Sequence, residues 1–187
     1  MNALPRPFYA LLLASLTTTL VGCQAPKALP TASHVDLKRY SGKWFEIARV
    51  KNRFQNNKRS AIAEYTPLDD HTLQIRNTEI APSGKTRSIV GKGVVVPDSD
   101  GSRLRVKFGG LAALAPVSRD GNYWIIDLDP QYRSALVGTP NRKFLWILAR
   151  SPFPDAGTLN TYMAKADRLG FPMEKLIWDR DLAGSPR

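Results

Sequence analysis

The sequence predicts an all-β domain: eight short strands in an antiparallel meander, arranged as a barrel or a sandwich, with one helix and a short last strand after them. Two observations carry this reading. From Tyr40 onward, β-favouring runs recur at close spacing with turn clusters between them. After the eighth run the apolar period lengthens to that of a helix. The runs are 43–50, 60–66, 72–80, 86–96, 103–108, 122–128, 133–138 and 143–150. The fifth alternates most cleanly, with Leu104, Val106 and Phe108 set against Arg103, Arg105 and Lys107, as a strand with one buried face requires. PLDDH (67–71), PDSDGS (97–102) and DPQ (129–131) make short connections, whereas 51–59 and 109–121 are long. In the helix, Asp155 serves as N-cap, Leu159, Tyr162, Met163, Ala166 and Leu169 share one face, and Gly170 with Pro172 ends it. Residues 174–179 make the last strand.

At 187 residues, 43% hydrophobic and 23% charged, the chain suits one packed domain and excludes a disordered or collagen-like protein. Residues 1–22 differ from the rest. Arg6 is their only charged side chain, and Phe8 to Leu20 are apolar or small, which makes a signal-peptide n-region and h-region too short for a membrane span. Leu20, Val21, Gly22 and Cys23 follow, and this tetrad resembles a bacterial lipobox. The resemblance implies cleavage before Cys23, acylation of that residue (palmitate being one such chain), and attachment to a membrane at ~0.8 kcal/mol per buried methylene. Gln24, where an Asp would favour the inner membrane, implies the outer membrane, with the domain in the periplasm. Cys23 is the single cysteine, so acylation leaves no thiol for a disulfide or a nucleophile. Residues 23–34 then form a lipidated N-terminus and flexible tether, since 24–34 (QAPKALPTASH) lack any apolar period, and 35–187 form the domain.

Three local motifs sharpen the picture. Gly42, Lys43, Trp44 and Phe45 continue as EIAR; Leu128, Asp129 and Tyr132 fall between the sixth and seventh runs; Arg150 ends the eighth in WILAR. As a set, with YRSALVG at 132–138, they resemble the lipocalin family, in particular its bacterial outer-membrane lipoproteins, from about Val35 to Trp178. The resemblance implies an eight-stranded antiparallel up-and-down β-barrel, with the helix packed outside. Short connections would close one end and long ones leave the other open. It also implies that Trp44 plugs the closed end with Arg150 across its face, a cation–π contact of roughly 0.5–2 kcal/mol.

Alternation along each strand then assigns the interior. If Arg150 points inward, so do Leu148, Trp146 and Phe144. From Trp44 the inward positions are Glu46 and Ala48; on the second strand Ala61, Ala63 and Tyr65; on the third Leu73, Ile75 and Asn77. Gly91, Gly93 and Val95 follow on the fourth, Leu104, Val106 and Phe108 on the fifth, and Tyr123, Ile125 and Asp127 on the sixth. The small residues at 48, 61, 63, 91 and 93 leave room for a ligand, since large inward residues would fill so narrow a barrel. Glu46 and Asp127 are the exceptions, carboxylates to be hydrogen-bonded near the closed end to Tyr65, Asn77 or a basic side chain, the alternative being that Glu46 contacts a ligand headgroup or forms half of an acid/base pair. Alternation places no lysine or arginine at mid-barrel.

The 27 Lys and Arg exceed the 16 Asp and Glu, for a net charge of +11, and residues 1–22 hold only Arg6 of that surplus. Such a balance points to an anionic partner, the alternative being an ordinary solvated surface. Nucleic acid does not fit an exported lipoprotein without a helix-turn-helix pattern, whereas anionic lipid does. The long connections carry Lys51, Arg53, Lys58 and Arg59, with Lys85, Arg87, Arg119, Arg142 and Lys143 also assigned to the rim and Asp120 opposing them, which makes the mouth electropositive. GGLAALAP (109–116) reads as a lid or a membrane-touching lip. His34 and His71 lack the clustering of a zinc site, and no cofactor is expected. The resemblance and the small interior residues together imply a carrier or scavenger of fatty acids or lysophospholipids in membrane biogenesis or repair, not an enzyme. A lipid-acting enzyme on the same barrel and a structural envelope lipoprotein with a filled barrel are the alternatives, and whether two barrels pair is left open.

Overall fold

A computed structural model of the chain describes residues 28–110 and 117–179. Eight antiparallel strands follow one another: β1 (Gly42–Val50), β2 (Ser60–Asp69), β3 (Thr72–Ile80), β4 (Thr86–Val95), β5 (Arg103–Phe108), β6 (Tyr123–Leu128), β7 (Ser134–Gly138) and β8 (Leu145–Ala149). Each pairs with its sequence neighbour, and β1 pairs with both β2 and β8, so the meander closes into a barrel. A short helix, α1 (Leu37–Tyr40), precedes β1, and α2 (Ala156–Arg168) follows β8. A last strand, β9 (Leu176–Trp178), lies outside and pairs with the end of β1. One edge of β1 therefore serves two partners, Gly42–Phe45 meeting β2 and Ala48–Val50 meeting β9.

The strands fall close to their sequence positions. The eighth starts at Leu145 instead of residue 143 because Lys143 and Phe144 belong to a turn, held by the Asn141 and Thr139 side chains, which accept from their backbone N–H groups. The helix starts as expected, the Asp155 carboxylate accepting from the Thr158 N–H at 2.8 Å. Gly170 ends it at φ +80, a left-handed conformation natural to glycine.

Three features were not legible. From Leu29 on, the stretch expected to be a free tether lies along the barrel: Leu29 and Val35 are buried, and the Ala32 N–H donates to the Ile125 carbonyl at 2.8 Å. Beyond it, Asp36 caps α1 by accepting from the Lys38 and Arg39 N–H groups, which tucks Leu37 and Tyr40 under the barrel.

The other two are β-bulges, and each reverses an assignment. Between Glu46 and Ala48 the β1–β8 register slips by one residue, so Ile47 and Ala48 both face outward and Arg49 turns inward opposite Trp146. Ala48 therefore does not line the interior; it packs in the outer cluster under α2. The same slip between Ile125 and Asp127 turns Asp127 out of the barrel, where its carboxylate meets Lys165 of α2 at 2.7 Å. Strict alternation fails at such a point because the extra residue shifts everything beyond it to the opposite face.

The barrel wall separates two apolar clusters. Inside are Trp44, Ala63, Tyr65, Leu73, Ile75, Leu104, Val106, Ile125, Ala135, Val137 and Leu148. Outside, Ile47, Trp124, Ile126, Leu136, Leu145, Ile147 and Ala149 are covered by Tyr162 and Ala166 of α2, with Phe171 and Leu29. This explains why β8 is apolar on both faces. Among the described residues β5 and β6 pair only at Arg103–Trp124 and Leu104–Tyr123. The Asn122 amide extends that seam, accepting from the Val106 N–H at 2.8 Å and donating to its carbonyl at 3.0 Å.

Candidate functional site

The floor of the barrel is fixed first. Trp44 is fully buried, and its indole N–H donates to the Tyr40 carbonyl at 2.7 Å. The Arg150 guanidinium lies 3.9 Å above the Trp44 ring. It donates to the carbonyls of Tyr132, Lys43, Arg39, Tyr40 and Ser41, tying α1 and the β6–β7 turn across the closed end. Above Trp44 the hydroxyls of Tyr40 and Tyr65 both bond to that of Tyr123, at 2.7 and 2.8 Å. Burial pushes all three phenols up, so they stay protonated, and in each of the two bonds either hydroxyl can be the donor. Tyr65 and Tyr123, expected to line the ligand space, thus have their hydroxyls engaged in the floor.

In the middle of the barrel Ala61, Ala63, Ile75 and Val106 are buried inward, as alternation requires. Gly91 and Gly93 also face inward, but neighbours already use the room they leave. A Cβ on Gly91 would lie 2.6 Å from the Phe108 ring, and one on Gly93 would lie 3.0 Å from the Ile75 side chain. Asn77 faces inward with its Oδ1 buried and unpartnered among the described residues.

The upper interior holds a polar cluster that sequence reasoning missed. Arg49 is 1% exposed and forms a buried ion pair with Glu46. Burial pushes the Glu46 carboxyl up, while Arg49 and a hydrogen bond from Gln55 pull it back part of the way. Gln55 comes from the 51–59 loop and reaches down into the barrel. Its amide donates to Glu46 at 2.9 Å, and its carbonyl oxygen accepts from the Trp146 indole at 3.0 Å. Arg49 in turn donates to the loop carbonyls of Asn56 and, at 3.4 Å, Arg59. The loop is latched over the interior from both sides.

Aromatic side chains surround this latch. Phe54 sits edge-on to Phe144 at 4.9 Å between centroids, and Phe144 lies 6.3 Å from Trp146. Phe54 is 58% exposed and Ile89, inward on the upper part of β4, is 45% exposed. Lys51, Arg53 and Lys58 are exposed on the same loop. Of the apolar stretch 109–116, residues 111–116 lie outside the described residues. Among the described residues no group of His, Cys, Asp and Glu could hold a metal ion.

The features define a calyx, a barrel with a plugged floor and an apolar, cation-edged mouth. A family model for the lipocalin-like domain matches residues 35–181. The temperature-induced lipocalin-1 of Arabidopsis thaliana is 35% identical over 152 residues, 80% of this chain and 81% of that protein. The outer membrane lipoprotein Blc of Citrobacter freundii is 35% identical over 163 residues, 85% of this chain and 88% of that protein. Among solved structures, insecticyanin from the tobacco hornworm Manduca sexta superposes with a TM-score of 0.57 at 18% identity, covering 80% of this chain and 82% of that one. The chain belongs to the lipocalin family.

Proposed function

We propose that this lipocalin is an outer-membrane lipoprotein, anchored through an acylated Cys23, that carries or scavenges a fatty acid or lysophospholipid in its barrel and does no chemistry on it. One observation carries the reading: at the mouth exposed Phe54 packs with Phe144 and Trp146, Ile89 is exposed at the same end, and below them lies an interior of aliphatic side chains. An acyl chain suits such surroundings, at about 25 cal/mol per Å² of apolar surface removed from water. The headgroup then lies near the Arg49 guanidinium, whose Nε is buried and unpartnered among the described residues, and near the lysines of the 51–59 loop. The outer-membrane location draws on the name of the Citrobacter relative and on the sequence at 20–23.

Native mass spectrometry of the purified protein after exposure to extracted lipids tests the reading directly, with a retained lipid expected. Ala61→Phe, which projects a ring into the barrel, should weaken binding of a fluorescent fatty acid at least about tenfold while overpacking costs about 1–3 kcal/mol of stability. Unchanged affinity in a folded variant would place the ligand elsewhere. For the anchor, Cys23→Ser should abolish palmitate labelling and release the protein from the outer-membrane fraction. A variant that still labels would refute acylation at that residue.

A further inference from the structure

The outer surface of the barrel is covered unevenly. α2 and β9 lie against β1 and β6–β8, whereas the outward positions of β4 and β5 carry no helix. Those positions are Thr86, Ser88, Val90, Lys92 and Val94 on β4 and Arg103, Arg105 and Lys107 on β5. Lys92 stands directly opposite Lys107, and Val94 opposite Arg105. Like charges facing each other across strands destabilise a sheet on their own. Neither strand contains an acidic residue to offset them, and Asp69 at the end of β2 is the carboxylate whose field reaches Lys92. Lys92, Val94, Arg105, Lys107 and Val117 line a shallow groove on this face, and Val90 beside it is 42% exposed.

We propose that the β4–β5 face docks on the anionic surface of a phospholipid bilayer, its lysines and arginines meeting the headgroup phosphates and its valines resting at headgroup level. Ordinary solvated surfaces mix both signs of charge, whereas the two strands of this one carry only cations. A second copy of the chain would bring the same charge and be repelled. The path of the chain favours a membrane over other polyanions. Leu29 packs in the outer cluster with Trp124, and the Arg103 guanidinium lies 5.2 Å above the Trp124 ring, so the chain joins the barrel on the flank of the cationic face. Five residues separate Cys23 from Leu29, a reach of at most about 22 Å. This step rests on the acylation proposed above: an anchor at Cys23 holds that flank, and with it β5, close to the bilayer. The charge pattern itself stands without the anchor.

The test uses the full chain carrying Cys23→Ser, so that acylation takes no part. Its partitioning is measured on phosphatidylcholine vesicles with and without phosphatidylglycerol, the neutral vesicles reporting what the apolar leader contributes. Lys92→Glu/Arg105→Glu/Lys107→Glu is compared with Lys51→Glu/Arg53→Glu/Lys58→Glu, which changes net charge equally at the mouth. The β4–β5 reversal should lower partitioning onto the anionic vesicles at least about tenfold, and the mouth reversal severalfold less, because juxtamembrane basic residues act only within a Debye length of the surface. The gain from phosphatidylglycerol should shrink with salt. Equal losses for the two triple variants, no gain from phosphatidylglycerol, or tighter binding to a DNA duplex than to the anionic vesicles would overturn the proposal. The corresponding triple Gln variant, which adds no negative charge, gives the same comparison if the Glu variant fails to fold. Native Cys23 failing to label with palmitate would remove the anchor and leave the vesicle result to decide the face.

Discussion

Arg49→Met is expected to destabilise the barrel by about 3–5 kcal/mol, because it leaves the Glu46 carboxylate buried without its cation. Both partners are nearly inaccessible, at 1% and 6% side-chain exposure, so solvent screening does little to soften the loss. Urea denaturation measures it. Glu46→Gln/Arg49→Met removes both charges and should recover most of the stability, whereas a small loss in the single variant would show that the pair contributes little. The pH dependence has a definite sign. Burial already raises Glu46 above its ordinary value, and Arg49 is the first influence opposing that rise. In Arg49→Met the folded protein therefore holds its proton more tightly still than the unfolded chain does. Stability relative to wild type is then best below the ordinary glutamate range and falls as pH rises through the raised value. A deficit that is constant from pH 4 to pH 7 would contradict the assignment.

Trp44→Ala is expected to cost about 3–5 kcal/mol, as deletion of a large buried aromatic does. The indole is fully buried, anchors α1 through the Tyr40 carbonyl, and is the surface on which Arg150 rests. Its loss leaves a void at the floor and removes the platform beneath a guanidinium that serves five carbonyls. Thermal or urea unfolding reads the loss. A variant of normal stability that had lost only lipid binding would make Trp44 part of the ligand wall instead.

The barrel was legible because its signals are local and periodic. Leu104, Val106 and Phe108 alternate with three cations, and β5 occupies those positions. Trp44 and Arg150 carry the family resemblance and meet at 3.9 Å. The two bulges were not legible, since Ile47–Ala48 and Ile125–Ile126 are apolar on both faces and leave no broken pattern to read. One clue existed: Glu46 and Arg49, opposite charges within the apolar run from Trp44 to Val50, could satisfy each other only if the alternation slipped between them. Gln55 gave no signal, because a polar loop residue is unremarked until the loop is seen to fold inward. Leu29 was hidden for the converse reason, one apolar residue among small and polar ones having no period.

The seam between β5 and β6 has a mechanical meaning. Among the described residues the two strands share two register pairs, Arg103–Trp124 and Leu104–Tyr123, where every other pair of neighbours around the barrel shares four or more. The brace of α2 lies on one side of that seam, over β6–β8 and β1. Local opening takes the least free energy where pairing is sparse, so backbone amide exchange in the barrel wall should be fastest along β5 and β6.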